Sequence, residues 1–250
     1  MFPEIDLGPV TIQTFGLCLA LALVSCGLIA AKRLRELGRP VDWAYEAVFA
    51  SAVGGIAGAK VDWMIQNPEQ ASAAGVLDAI FGPGLVFFGG LLGGAVAVCA
   101  WAWRRGYLGY ELVDLAAPAI ALGYALGRIG CQLSGDGDYG VPSDLPWAMS
   151  YPDGTVPTDV RVHPAPIYEL LAMGLVTMVL WRLRGRFAPG VIFGLYLVLA
   201  GAERLLVEII RRNDAVVAGL TLPQLISVGM LLGGSAFIAW RVRAARPAPA

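Results

Sequence analysis

Histidine is almost missing from this sequence, since His163 is the only one. One imidazole and four scattered cysteines, Cys18, Cys26, Cys99 and Cys131, cannot supply a four-ligand set at the usual spacing, so no metal site is expected. All four cysteines fall within apolar runs rather than polar loops, which argues against a disulfide framework. Lysine is nearly absent too: Lys32 follows the first apolar run and Lys60 lies in the second. The last run therefore has no lysine for a retinal Schiff base, and it carries no charge until Arg241, which argues against an ion path through it. Most basic residues sit in short clusters beside apolar runs. Nothing there calls for a nucleic acid partner, although such clusters suit contact with anionic membrane lipids.

Apolar length, by contrast, is abundant. With 57% hydrophobic and 15% charged residues among 250, the chain carries more apolar surface than a water-soluble core of that size can bury. Windows of about 20 apolar residues, the length a spanning helix needs, occur at 12–31, 44–64, 85–104, 112–131, 165–183, 190–210 and 222–240. The expected fold is thus an all-α integral membrane protein of seven transmembrane helices, forming a single domain over 1–245. Residues 246–250, ending Pro-Ala-Pro-Ala, are expected to be a disordered tail.

Charge placement sets the expected orientation. Lys32, Arg33, Arg35, Arg39, Arg104, Arg105, Arg182, Arg184, Arg186, Arg241, Arg243 and Arg246 all fall on one side, against Arg161, Arg211 and Arg212 on the other. The positive-inside rule then puts the N-terminus outside and the C-terminus in the cytoplasm. The Met1–Thr14 segment lacks a basic region and the first run ends in Lys32–Arg39, so that run is expected to remain as a helix rather than act as a cleaved leader. On the outer side the loop 132–164 is rich in Asp, Pro and Gly and is expected to be irregular but ordered. A second outer segment, 66–84, with Glu69, Asp78 and Phe81, suits an interfacial arm.

Several charges lie where lipid penalises them: Glu46, Lys60, Asp62, Glu111, Asp114, Arg128, Glu169, Glu203, Arg204 and Glu208. Arg204, Glu208 and Arg211 follow i, i+4, i+7 and so share one helix face. That stripe can be an internal ion-pair ladder that only makes the helix insertable. It can equally be one wall of a site, because Arg128, His163 and Glu169 are expected at the same outer level. Guanidinium forks match phosphate oxygens bidentately, so two arginines at that level suit a phospholipid headgroup, with Glu169 and Glu208 holding them in place.

The residues also carry a resemblance. Gly127-Arg128-Ile129-Gly130-Cys131-Gln132-Leu133-Ser134-Gly135-Asp136, followed by Asp138-Tyr139-Gly140, resembles the signature segment of prolipoprotein diacylglyceryl transferases. His163-Pro164-Ala165-Pro166-Ile167-Tyr168-Glu169 is similar to the family's His-Pro-x-x-x-Tyr-Glu run. Gly201-x-x-Arg204-x-x-x-Glu208-x-x-Arg211 resembles its late-helix segment, and Phe88-Gly89-Gly90-Leu91 its His-Gly-Gly-Leu motif. The resemblance implies transfer of the diacylglyceryl group of phosphatidylglycerol to the lipobox cysteine of a prolipoprotein signal peptide, with release of glycerol phosphate. It implies a multi-pass protein of the bacterial inner membrane, a periplasmic position for the 132–164 loop, and no cofactor. It assigns phosphate holding to Arg128 and Arg204, orientation of Arg204 to Glu208, and a catalytic place to Asp136, where the family commonly has Glu. Tyr168, Glu169, Gly89 and Gly90 join the lipid site by the same resemblance, and Gly140 is expected to make the tight turn closing the signature.

There are departures. Phe88 replaces the motif His, Phe15 stands where the first helix usually offers Tyr, Cys131 where Asn is common, and Ala200 where a Tyr precedes the late-helix Arg. His163 can be catalytic or merely structural at the start of its helix. Thiol activation is left to the field of the arginines, to Asp136 or Glu169, or to solvent. The alternative reading is a relative that binds or moves phospholipid without forming a thioether.

Overall fold

The computed structural model describes residues 1–6, 8, 11–73, 84 and 86–245, with the backbone alone at 72, 73 and 87. The expected tail at 246–250, and Asp78 and Phe81 of the expected arm, lie outside these residues. The helices are α1 (Thr14–Glu36), α2 (Asp42–Gln66), α3 (Pro68–Ala73), α4 (Phe87–Arg104), α5 (Tyr110–Ser134), α6 (Ala165–Leu183), α7 (Val191–Glu208) and α8 (Leu222–Ala244). Three short antiparallel pairs accompany them: β1 (Glu4–Asp6) with β2 (Thr11–Gln13), β3 (Met149–Tyr151) with β4 (Thr158–Val162), and β5 (Ala215–Val217) with β6 (Leu220–Thr221).

Helices α1, α2, α5, α6 and α8 are long and apolar enough to cross a membrane. The other two expected spans are present as helices but fall short of that measure. α4 is apolar and brief, while α7 has 18 residues and concentrates Glu203, Arg204 and Glu208 near its end. The chain is therefore a mostly helical membrane protein whose polar demands gather in α7. Broad exposure of Leu, Val, Ile and Phe along the helices, for example Phe49, Ile56, Leu171 and Leu232, fits a lipid rather than aqueous surround.

The chain forms two compact units, one of residues 30–112 and one of 1–29 with 113–250. In the smaller unit α2 and α4 meet through glycines spaced four apart, Gly54 and Gly58 against Gly89 and Gly93. A β-carbon on Gly58 would lie 2.8 Å from the Gly93 Cα, so the backbones touch where small residues permit it. The charges of these helices have local tasks. Asp62 accepts a 2.9 Å hydrogen bond from the Gly89 amide, Lys60 donates to the Gly84 carbonyl, and Glu46 accepts from Trp101 Nε1 at 2.8 Å and from Arg105.

The larger unit has a core in which Ala117, Ala121 and Ala125 of α5 let Met173, Val176 and Leu180 of α6 and Ile192 and Ala200 of α7 pack closely. Gly201 and Gly234 bring α7 and α8 together in the same way; a β-carbon on Gly201 would sit 2.9 Å from the Ser227 carbonyl. Helix ends are fixed by side chains. Asp114 accepts from the amides of Gly190 and Phe193 at 2.7 and 2.8 Å, placing an anion at the start of α7. Thr221 and Gln224 form a reciprocal cap at the start of α8.

Helix α5 continues to Ser134, so the loop expected from Gln132 begins after it, and it is ordered by its own contacts. The β3–β4 hairpin, stacking of Tyr139 on Tyr151 at 4.9 Å, and three carbonyls gripped by Arg161 fix its path. Gly135 and Gly137 adopt positive φ of 59° and 91°, conformations that side chains disfavour. They turn the chain so that residues 138–141 run against the end of α7.

Candidate active site

Six charged groups of the larger unit form one continuous network. Arg128 projects from the last turns of α5, Glu169 from the second turn of α6, Arg204 and Glu208 from the end of α7, Arg211 from just beyond it, and Asp138 from the loop. Glu169 is fully buried and stands at the centre. One of its oxygens meets Arg128 Nε; the other accepts from Arg204 at 2.9 Å and has Arg211 at 3.8 Å. Arg204 also pairs with Glu208 at 3.0 Å, as their i, i+4 spacing predicts. Asp138 bridges Arg128 and Arg211, the latter at 2.7 Å, while its backbone carbonyl accepts a second bond from Arg211.

Two of the groups also have neutral partners. Arg128 donates to the Tyr124 hydroxyl at 2.8 Å, and Glu208 accepts from Thr221 and Asn213 at 2.7 and 2.8 Å. Buried charges survive only when paired and hydrogen-bonded, and three cations here alternate with three anions. Each guanidinium is held at the edges that face carboxylates. The result is a charge-balanced lattice whose arginines are oriented before any ligand arrives. Glu203, on the neighbouring stripe of α7, is buried with Oε1 lacking a hydrogen-bond partner among the described residues.

The two loop aspartates differ in environment. Burial works against ionisation of Asp138, yet the Arg128 and Arg211 guanidiniums hold its carboxyl below the usual carboxylate range. It remains charged and keeps the loop tied to the arginines well into acid; that tie is lost only as pH falls through the lowered pKa. Asp136 is pushed the other way, by burial, with the negative Asp138 nearby adding to the effect. Its Oδ1 accepts from the Asp138 amide at 3.2 Å, and the Cys131 thiol lies beside it.

The remaining residues singled out from sequence are placed as follows. Tyr168 accepts from Trp147 Nε1 at 2.7 Å and lies 3.3 Å from His163 Nδ1, so these three form a separate cluster at the start of α6. Gly140 is not a positive-φ turn. Its amide donates to the His163 carbonyl, and a β-carbon on it would lie 2.6 Å from the Ile210 carbonyl, so it is the contact through which the loop touches the end of α7. Gly89 and Gly90 lie in the smaller unit, in the α2–α4 contact. Sequence reasoning did not assign site roles to Asp138, Arg211 and Tyr124. Arg211 is legible in the i, i+4, i+7 stripe, and Tyr124 precedes Arg128 by one turn, whereas Asp138 lies in the signature segment with nothing to favour it over Asp136.

A family model described as prolipoprotein diacylglyceryl transferase matches residues 4–240. The chain belongs to the prolipoprotein diacylglyceryl transferase family. A protein of Azotobacter vinelandii named phosphatidylglycerol–prolipoprotein diacylglyceryl transferase is 32% identical to it, over 97% of this chain and 96% of its own length. Relatives of the same name from Chromohalobacter salexigens and Clostridium tetani are 32% and 28% identical, over 97% and 89% of this chain. Among the residues that depart from the diacylglyceryl transferase pattern, Cys131 is buried and accepts a long contact from Arg128. Ala200 fills the helical core, Phe15 packs beside Gly130, and Phe88 is exposed at the start of α4.

Proposed function

We infer that this protein transfers the diacylglyceryl group of phosphatidylglycerol to a cysteine thiol of a prolipoprotein, releasing glycerol phosphate. Membership of the family carries the reaction class. The observation that carries the chemistry is the lattice of Arg128, Arg204 and Arg211 anchored on Glu169. The reaction forms a sulfur–carbon bond at the glycerol carbon that bears the phosphate and breaks that carbon's bond to oxygen. The electron pair leaves with the phosphate, so negative charge grows there in the transition state. Fixed guanidiniums stabilise such charge without reorganising. Arg128 and Arg204 come from facing helices and hold the phosphate, while Glu169 and Glu208 position them. No observation favours the alternative of lipid binding without transfer.

Sulfur must attack as thiolate. Glu169 is unsuited to take the proton, because two arginines occupy its oxygens. Asp136 is suited, having a carboxyl raised by burial and standing where the family's signature offers an acid. The transfer rate is then expected to fall as pH drops through that raised pKa, since only the deprotonated form accepts the thiol proton. In Asp136→Asn the plateau rate drops by about 100-fold, within the range for loss of a general base, and the acid limb disappears from the pH–rate profile. An unchanged acid limb in the variant would give the proton to another group.

On this reading α1, α2, α4, α5, α6, α7 and α8 all cross the bacterial inner membrane, with the N-terminus periplasmic and the C-terminus cytoplasmic. The basic residues flanking α1, α4, α6 and α8 support that orientation. The network then opens at the outer leaflet, where a lipobox cysteine at the membrane end of a signal peptide meets it. The test is incubation of the purified protein with phosphatidylglycerol and a lipobox peptide. A diacylglyceryl-peptide mass and one glycerol phosphate per peptide are expected; bound lipid with neither product would refute the activity.

A further inference from the structure

The reaction has a second product, and the structure offers a place for it. Gly137, Asp138, Tyr139, Arg211, Arg212 and Asn213 line a cavity of about 340 Å³. That is near the lower end of ligand-site volumes, which run from about 300 to 1,000 Å³, and so fits a small polar molecule better than a lipid. Two of its walls, Asp138 and Arg211, are the outer edge of the buried arginine network. The cavity is thus the next compartment outward from the reaction centre.

Arg212 gives the cavity its charge. Arg128, Arg204 and Arg211 each face carboxylates, whereas Arg212 has no carboxylate partner among the described residues. Its guanidinium lies 4.4 Å from the centre of the Tyr139 ring and one amine donates to the Gly137 carbonyl, so it is held on the cavity wall with donors to spare. Tyr139 is itself fixed by its stack on Tyr151 and its bond to the Val156 carbonyl. An uncompensated, positioned arginine beside a polar cavity is an anion site.

We propose that this cavity receives the glycerol phosphate leaving group on its way out, with Arg212 as its phosphate-binding residue; the proposal rests on the transferase reading above. Charge gives the direction. The headgroup of phosphatidylglycerol is a phosphodiester with one negative charge, and its release creates a phosphomonoester carrying roughly 1.5 to 2 negative charges near neutral pH. The inner arginines, which hold the phosphate during transfer, are matched one for one by carboxylates, and Arg212 adds a further cation that has no carboxylate partner among the described residues. Product is drawn outward and substrate is not.

The experiment measures product inhibition of transfer by added glycerol phosphate, together with equilibrium binding of labelled glycerol phosphate to the purified protein. Arg212→Ala is expected to raise the inhibition constant and the dissociation constant about tenfold, the effect of losing one charge-assisted contact, and Arg212→Glu to raise them further. Arg212→Lys is expected to recover part of the loss. The KM for phosphatidylglycerol is expected to change less than the inhibition constant. Equal rises in both would mean that the cavity holds the headgroup before cleavage, and unchanged constants would mean that it holds neither; either result overturns the proposal. If the unmodified protein makes no thioether but still binds glycerol phosphate through Arg212, the reading of the activity fails and the anion site stands.

Discussion

Glu169→Gln is expected to abolish transfer and to lower the unfolding temperature of the detergent-solubilised protein. The substitution keeps the shape of the side chain and removes its charge. Among the described residues Glu169 is the only anion that meets both Arg128 and Arg204, and it is fully buried between them. Its neutral replacement removes the anion between two part-buried cations, leaving Arg128 with Asp138 and Arg204 with Glu208, and turns an amide donor toward one of them. Breaking a buried pair by removing one partner typically costs about 3–5 kcal/mol. For catalysis the loss is one of orientation: guanidiniums that splay apart cannot meet a phosphate together, and the rate is expected to fall by about 100-fold or more. Initial rates and thermal unfolding of the variant check both effects. Activity within threefold of the unmodified protein would show that Glu169 does not set the arginines' geometry.

The second large effect concerns the small-residue seam rather than the site. Gly58→Val is expected to prevent α2 and α4 from closing. Its first side-chain atom would fall 2.8 Å from the Gly93 Cα and closer still to the Gly89 carbonyl, and neither neighbour is a flexible side chain that can yield. Overpacking usually costs about 1–3 kcal/mol, and a clash with backbone belongs at or above the top of that range. The control is Gly174→Ala on α6, where an added β-carbon meets nothing within 4 Å and removal of a helical glycine is mildly favourable. Size-exclusion profiles and unfolding temperatures in detergent separate the two. If Gly58→Val matched the unmodified protein, the close approach of these helices would be wrong.

The physical character of each feature explains how far the sequence revealed it. Long apolar runs announce helices, and the two least clear spans were so for opposite reasons: α4 is short, and α7 spends its last turns on charge. Arg204, Glu208 and Arg211 were legible because helical periodicity places them on one face, and Arg128 and Glu169 because charges in apolar runs need partners. Asp138 was not. Its position depends on the positive-φ turns at Gly135 and Gly137 and on packing across 73 residues of chain to Arg211. Asp136, two residues earlier, looked at least as suitable. The strands of β1 to β6 are two to five residues long, too brief for an alternating pattern to declare itself. Gly140 was expected to serve a turn, but its requirement is the nearby Ile210 carbonyl, a tertiary contact that no local pattern encodes. Arg212 is adjacent to Arg211 in sequence, and only the pairing of the other arginines sets it apart.

The role of the arginine lattice is to handle the phosphate. Its most direct test compares the rate of glycerol phosphate release by the unmodified protein with the rates of Arg128→Ala and Arg204→Ala, supplied with phosphatidylglycerol and a lipobox peptide, after helix content confirms that each variant is folded. Release by the unmodified protein and a loss of about 100-fold or more in each variant are expected. Release that persists within a few-fold in either folded variant would contradict it.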